Sequence, residues 1–130
     1  MRPEIEIWIR DAEDTLDAAI VMFKAEKYNY TVFLSHQVIE KVLKFGIMAI
    51  KRQPPSKEHN LVNLMNQLNI KMDKQTENFI RELNPHYIVT RYPDAANGMP
   101  AENYNREIAE HILKNTEKVL LWMKNRIKRQ

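Results

Sequence analysis

An all-α fold, an antiparallel four-helix bundle with one additional short helix and a long loop before the last helix, is what this sequence predicts. Three observations carry that expectation. Apolar residues recur at three- and four-residue intervals through four long stretches. No run of strict apolar–polar alternation marks a strand. The helix-stopping residues Pro54, Pro55 and Pro85 fall between the periodic stretches and not inside them.

The first stretch follows Pro3, a residue suited to a first helical turn, and places Ile5, Trp8, Ile9, Ala12, Leu16, Ala19, Ile20 and Phe23 on one face. Tyr28-Asn29-Tyr30 breaks it, with Asn29 as the expected cap of the second helix. That helix, to about Arg52, has a wide apolar arc of Val32, Phe33, Val38, Ile39, Val42, Leu43, Ile47 and Ile50, so it should be central. Gly46 inside it costs about 1 kcal/mol relative to alanine, which a close helix crossing would offset. After Pro54-Pro55-Ser56, a short helix from His59 to Leu68 carries Leu61, Leu64, Met65 and Leu68. Asp73 caps a further segment with Phe79, Ile80 and Leu83 that Pro85 ends. Residues 85–103 read as irregular, and a last helix from about Glu102 to Lys128 buries Ile108, Ile112, Val119, Leu120, Met123 and Ile127.

The 130 residues suffice for one domain, 1–130, with its own core. Cysteine is absent, which excludes disulfides, thiolate zinc sites and thiol nucleophiles. The opening residues carry no apolar leader, and no uncharged apolar run approaches the roughly eighteen residues a membrane span needs, so a cytoplasmic protein is expected. Charge is unevenly spread. Residues 4–17 carry a net −5 and residues 114–130 a net +5, against +3 for the chain. Acid near a helix start and base near a helix end is what the macrodipole favours; a basic face toward phosphate is the alternative.

Most catalytic constellations are missing. The two glycines are far apart, so no phosphate loop exists, and no His-Glu-x-x-His marks a zinc site. A di-iron bundle needs Glu-x-x-His helices, and no glutamate here has a histidine three residues on. Ser35 and His36 are adjacent on a helix and diverge by about 100°, too far for a nucleophile–base pair. No metal and no cofactor is expected. His36 reads as a half-buried polar group with a satisfied hydrogen bond, and His59 as a cap-region residue. The richest segment is His86–Asp94, where two tyrosines, an arginine, a proline and an acid crowd a stretch without helical period.

Four groups of residues carry a resemblance. They are Trp8, Ala12, Leu16 and Ala19 in the first helix, and Phe33, Leu34, Gln37, Glu40, Lys41 and Lys44 in the second. Pro54-Pro55 with His59 and Leu61 follow, and then Tyr87-Ile88 and Thr90-Arg91-Tyr92-Pro93-Asp94-Ala95. Over nearly its whole length the chain resembles small archaeal and bacterial HEPN domain proteins. The resemblance implies a helical bundle that forms a homodimer, a minimal nucleotidyltransferase as partner in a toxin–antitoxin-like pair, and metal-independent RNA cleavage by an arginine followed four to six residues later by histidine. Arg106 and His111 fit that spacing on the last helix, Arg81 and His86 are the second choice, and Arg52 and His59 straddle the double proline. Glu107 and Leu113 stand where nuclease members usually carry Asn, Asp or His and often a tyrosine.

The pair makes chemical sense, since histidine transfers protons near neutral pH and arginine grips phosphate while staying charged. Residues i and i+5 lie about 140° apart on a helix, so one cleft would need two chains. The alternative is a noncatalytic module that binds a nucleotide, RNA or a protein through the Tyr87–Asp94 loop. There Arg91 would hold phosphate, Tyr87 or Tyr92 would stack on a base, and Asp94 would accept from a ribose hydroxyl or fix Arg91. Lys41 and Lys44 join this binding set through the family match.

Overall fold

In the computed structural model, which describes residues 1–128, the chain forms seven α-helices and no strand among those residues. Arg129 of the basic C-terminal stretch lies outside the described residues. The helices are α1 (Pro3–Lys24), α2 (Tyr28–Lys51), α3 (Leu61–Leu68), α4 (Lys74–Leu83), α5 (His86–Val89), α6 (Pro93–Ala96) and α7 (Arg106–Lys128). A 3-10 turn at Pro100–Asn103 precedes α7.

Helix ends follow local chemistry. Pro3 opens α1, and Asn60 and Asp73 cap α3 and α4 by accepting from the backbone N–H groups of Asn63 and Thr76. Asn105 does the same for Ile108, and so fixes the start of α7 at Arg106, later than the expected Glu102. The segment from Pro100 cannot join α7 because it winds as a 3-10 turn and then extends at Tyr104. Asn29 is not a cap. Helix α2 already begins at Tyr28, and the buried Asn29 side chain donates to the Thr90 carbonyl instead, tying α2 to the segment after α5.

α1 runs antiparallel to α2 across a three-residue turn, and antiparallel to α7, whose Arg106 meets Phe23 while Lys124 meets Glu13. The hairpin α3–α4 covers α2 and α7 from the other side and closes where the Leu61 N–H donates to the Asn84 side chain. α2 is the central rod, buried on most sides, as its wide apolar arc predicts. Ile39, Leu43 and Ile47 of α2 meet Leu61, Leu64 and Leu68 of α3, Ile80 and Leu83 of α4, and Ile112 and Met123 of α7 in one continuous core. The acidic face of α1 finds its basic counterpart inside the same chain, through Lys124 to Glu13 (3.0 Å) and Lys41 to Asp11 (2.8 Å).

Gly46 sits at the close approach its position predicts. A Cβ there would stand 2.7 Å from the Met123 Cε atom and 3.0 Å from a Leu68 methyl. Methionine can swing aside for one methyl, but the fully buried Leu68 has little room to do so. Gly46→Val is therefore expected to cost about 2–3 kcal/mol, overpacking outweighing any gain in helix propensity. A urea midpoint equal to that of the native sequence would show that the crossing is looser than these contacts.

Candidate functional site

The segment read as an irregular loop is largely ordered into two single-turn helices. Tyr92 is extended because it precedes a proline, and Pro93 then opens α6 with its fixed φ. Asn97 and Gly98 end α6 at positive φ. Thr90 is fully buried, its hydroxyl donating to the His86 carbonyl, so α5 is locked in place. The consequence is a face, built from α2, α5 and the loop before α3, on which two histidines and one arginine gather around a single tyrosine.

The Tyr87 ring is the centre of that face. His36 of α2 lies 5.2 Å from it at a tilt, and His59 stacks on it at 5.4 Å with planes only 12° apart. The Arg91 guanidinium lies 4.7 Å from Tyr87, 4.4 Å from Phe33 and 5.0 Å from Tyr92. Cation–π attraction thus holds the arginine among three rings. Its Nε and Nη2 both donate to the Tyr87 carbonyl, at 3.1 and 2.9 Å. Among the described residues no ion pair joins Arg91 to Asp94, which lies exposed in the first turn of α6. Tyr92 is about half exposed (48%).

The histidines differ sharply. His36 is fully buried and not half-buried as expected, and its Nε2 has no hydrogen-bond partner among the described residues. Burial, with His86, His59 and Arg91 close by, lowers its pKa to about 3, so it stays neutral. His86 is half-buried and also held below the ordinary histidine range by desolvation. The Tyr104 hydroxyl, its own pKa pushed up to about 12 by burial, is hydrogen-bonded to His86 Nδ1 at 2.6 Å. His59 is exposed and lies in the cap region of α3, directly before the capping residue Asn60. Its Nδ1 lies 3.1 and 3.2 Å from the two carboxylate oxygens of Glu40, a residue only 6% exposed.

The sequence-derived pairs are placed differently. Arg106 turns toward Phe23 of α1, its guanidinium 4.9 Å from the ring. His111, five residues on, faces α4 and contacts Glu82 through Nε2 at 3.2 Å and the edge of Phe79. The two diverge within one chain, as a separation of about 140° requires. Arg81 is exposed on α4 whereas His86 turns inward to Tyr104. Lys44 is not a surface cation. It is buried in an ion pair with Glu40 at 3.1 Å, where the family match places it in the nucleotide- or RNA-binding set. Lys41 is likewise engaged, with Asp11 and with the Thr15 hydroxyl at 2.8 Å each. Both face the bundle because the apolar arc of α2 extends around them.

What sequence reasoning missed is the gathering of His36, His59 and His86, and the role of Glu40. A signal existed: Glu40 and Lys44 stand at i and i+4 among Ile39, Val42 and Leu43, and a charge set inside an apolar arc must be paired. A cavity of about 900 Å³ lies away from this face. It is lined by Ile5, Trp8, Met48 and Pro54–Pro55 among others and by no histidine, so it carries no comparable chemistry. No group of His, Asp or Glu among the described residues could hold a metal. No helix among them is long and apolar enough to cross a membrane.

A helical bundle that presents an arginine and histidines around one aromatic ring defines a class of small α-helical proteins, and comparison narrows the class to one family. Residues 5–127 match the HEPN domain model, and the chain belongs to the HEPN family. A Methanocaldococcus jannaschii protein named "Putative toxin MJ1304" is 29% identical over 134 residues, an alignment covering 95% of this chain and 88% of that protein. The crystal structure of TT1696 from Thermus thermophilus superposes with a TM-score of 0.85 at 25% identity, over 95% of this chain and 98% of that one. That of ST0689, an archaeal HEPN homologue, gives 0.80 at 26% identity, over 98% and 99%.

Proposed function

We propose that this HEPN protein is the toxin-like member of a pair with a minimal nucleotidyltransferase, works as a homodimer, and acts on RNA through the face formed by α2 and α5. The toxin name of the M. jannaschii relative supports the first part. The observation that carries the RNA reading is the state of Arg91. Two of its five N–H groups are spent on the Tyr87 carbonyl and it is held among three rings, while the Nη1 edge carries no bond to the described residues. A guanidinium held that way is preorganised for a phosphate, and the exposed Tyr92 beside it offers a stacking platform for a base. Arg106 and His111, the pair that the family spacing indicates, contact Phe23 of α1 and Glu82 of α4, away from this face, and a cleft using both would take one from each of two chains.

The test is binding of a single-stranded RNA oligonucleotide in EDTA, read by fluorescence anisotropy. Arg91→Ala should weaken binding by at least about tenfold, the worth of a charge-assisted phosphate contact. Tyr92→Ala should weaken it about 5- to 100-fold by loss of stacking. Arg91→Ala binding as tightly as the native protein would sink the reading. Co-purification with a minimal nucleotidyltransferase of the same organism tests the pairing separately.

A further inference from the structure

The Arg91 face contains a second device that phosphate binding does not use. Glu40 is buried on α2, its charge balanced by the equally buried Lys44, and both of its oxygens are directed at His59 Nδ1. An ionised carboxylate only accepts, so Nδ1 must carry the proton and the lone pair of neutral His59 must lie on Nε2. The ring cannot turn away easily, because it is stacked on Tyr87. Nor can its backbone. The Glu58 carboxylate accepts from the N–H groups of both His59 and Asn60, and from the Asn63 amide. Neighbouring hydrogen bonds to Asn60 and Asn63 hold Glu58 below the ordinary carboxylate range, so this clamp stays ionised. A carboxylate that fixes the tautomer of a histidine, whose other nitrogen is left to act, is the arrangement of a general base.

We propose that His59 is the proton-transfer residue of this face, with Glu40 as its positioning residue and single-stranded RNA as its substrate. The proposal rests on the RNA reading of Arg91. Arg91 and His59 both contact the Tyr87 ring, at 4.7 and 5.4 Å from its centre, which puts a phosphate-binding and a proton-transferring group on one face. His59 Nε2 takes the proton of a ribose 2′-hydroxyl, and the 2′-oxygen forms a bond to the adjacent phosphorus. The bond from phosphorus to the 5′-oxygen breaks, and that oxygen leaves with the electron pair and takes the proton back from the imidazolium. The products are a 2′,3′-cyclic phosphate and a 5′-hydroxyl, and no water, metal or redox partner is consumed. Arg91 offsets the charge that builds on the phosphorane oxygens. His36 and His86 are poor candidates for the same task. The first is sealed in the core and the second is tied to Tyr104.

His59→Asn is the discriminating variant, because an asparagine amide can still donate to Glu40 and keep the loop in place while transferring no proton. Cleavage of a single-stranded RNA oligonucleotide in EDTA, beside the same oligonucleotide made with 2′-deoxyribose, is the assay. The native protein should cut only the ribose form and leave cyclic phosphate ends. His59→Asn should cut at least about 100-fold more slowly with an RNA affinity within about twofold of native. Imidazole added to His59→Ala should restore part of the rate, which it would not do if the histidine merely braced the loop. A native protein that leaves RNA intact, or a His59→Asn protein that cuts at the native rate, overturns the assignment while phosphate binding at Arg91 stands. An Arg91→Ala protein with native RNA affinity instead overturns the reading beneath it, so the two failures are distinguishable.

Discussion

Replacing Glu40 with alanine is expected to cost about 3–5 kcal/mol of stability, the loss that follows when one member of a buried ion pair is removed. The size comes from what is left behind. Lys44 is 5% exposed and hydrogen-bonded to Glu40 at 3.1 Å, and its other electrostatic neighbour among the described residues is the ring of Trp8 at 5.9 Å. Without Glu40 a buried ammonium is left with no carboxylate partner among the described residues. His59 loses its anchor as well, so the loop between α2 and α3 loosens. Because the damage is an uncompensated charge, Glu40→Met combined with Lys44→Met should recover most of it, although each single change is costly. Urea unfolding of the four proteins decides the matter. A Glu40→Ala midpoint within about 1 kcal/mol of native would mean that water enters the pair and that Glu40 is no rigid support for His59.

The pair also shows where sequence reading reached its limit. The rods were legible, because α1, α2 and α7 each bury a stripe whose spacing is written in the residue order, and the caps Asn60 and Asp73 act through local hydrogen bonds. The close crossing at Gly46 was legible for the same reason. Asn29 was misread because its side chain bonds to Thr90, sixty-one positions away, a contact that no local pattern encodes. The Arg106 and His111 spacing was visible, but spacing on a helix fixes angle as well as distance, and the angle sends one to Phe23 and the other to Glu82. The face around Tyr87 was half legible. The aromatic and basic content of residues 86–94 marked it, while His36 and His59 come to it only through the turn of the chain at Pro54–Pro55 and the depth of α2 in the bundle. Lys44 was assigned to binding on a motif match, and burial reassigns it to holding Glu40.

Acid should destabilise this protein earlier than its carboxylates alone would predict, and His36 is the reason. In the folded chain its pKa is lowered from 6.5 to about 3, chiefly by burial, so the fold holds it neutral whereas the unfolded chain protonates it below about pH 6.5. The unfolded state therefore binds the extra proton, and stability falls as pH drops from about 6.5 toward about 3, by up to about 1.4 kcal/mol per pH unit. Above pH 6.5 both states carry a neutral ring and the effect disappears. His86, also held low by desolvation, acts in the same direction. The groups around His36 reinforce the slope, since Arg91, His59 and His86 face it and none supplies a negative charge to stabilise an imidazolium. In His36→Gln the titrating ring is gone, so the loss of stability between about pH 6.5 and 5 should shrink by about 1–2 kcal/mol relative to native, whatever the packing cost of the substitution at neutral pH. Urea unfolding of both proteins across that interval measures the difference in slope. Parallel curves would mean that His36 protonates in the folded protein, by way of an opening of the Tyr87 face that admits water to Nε2.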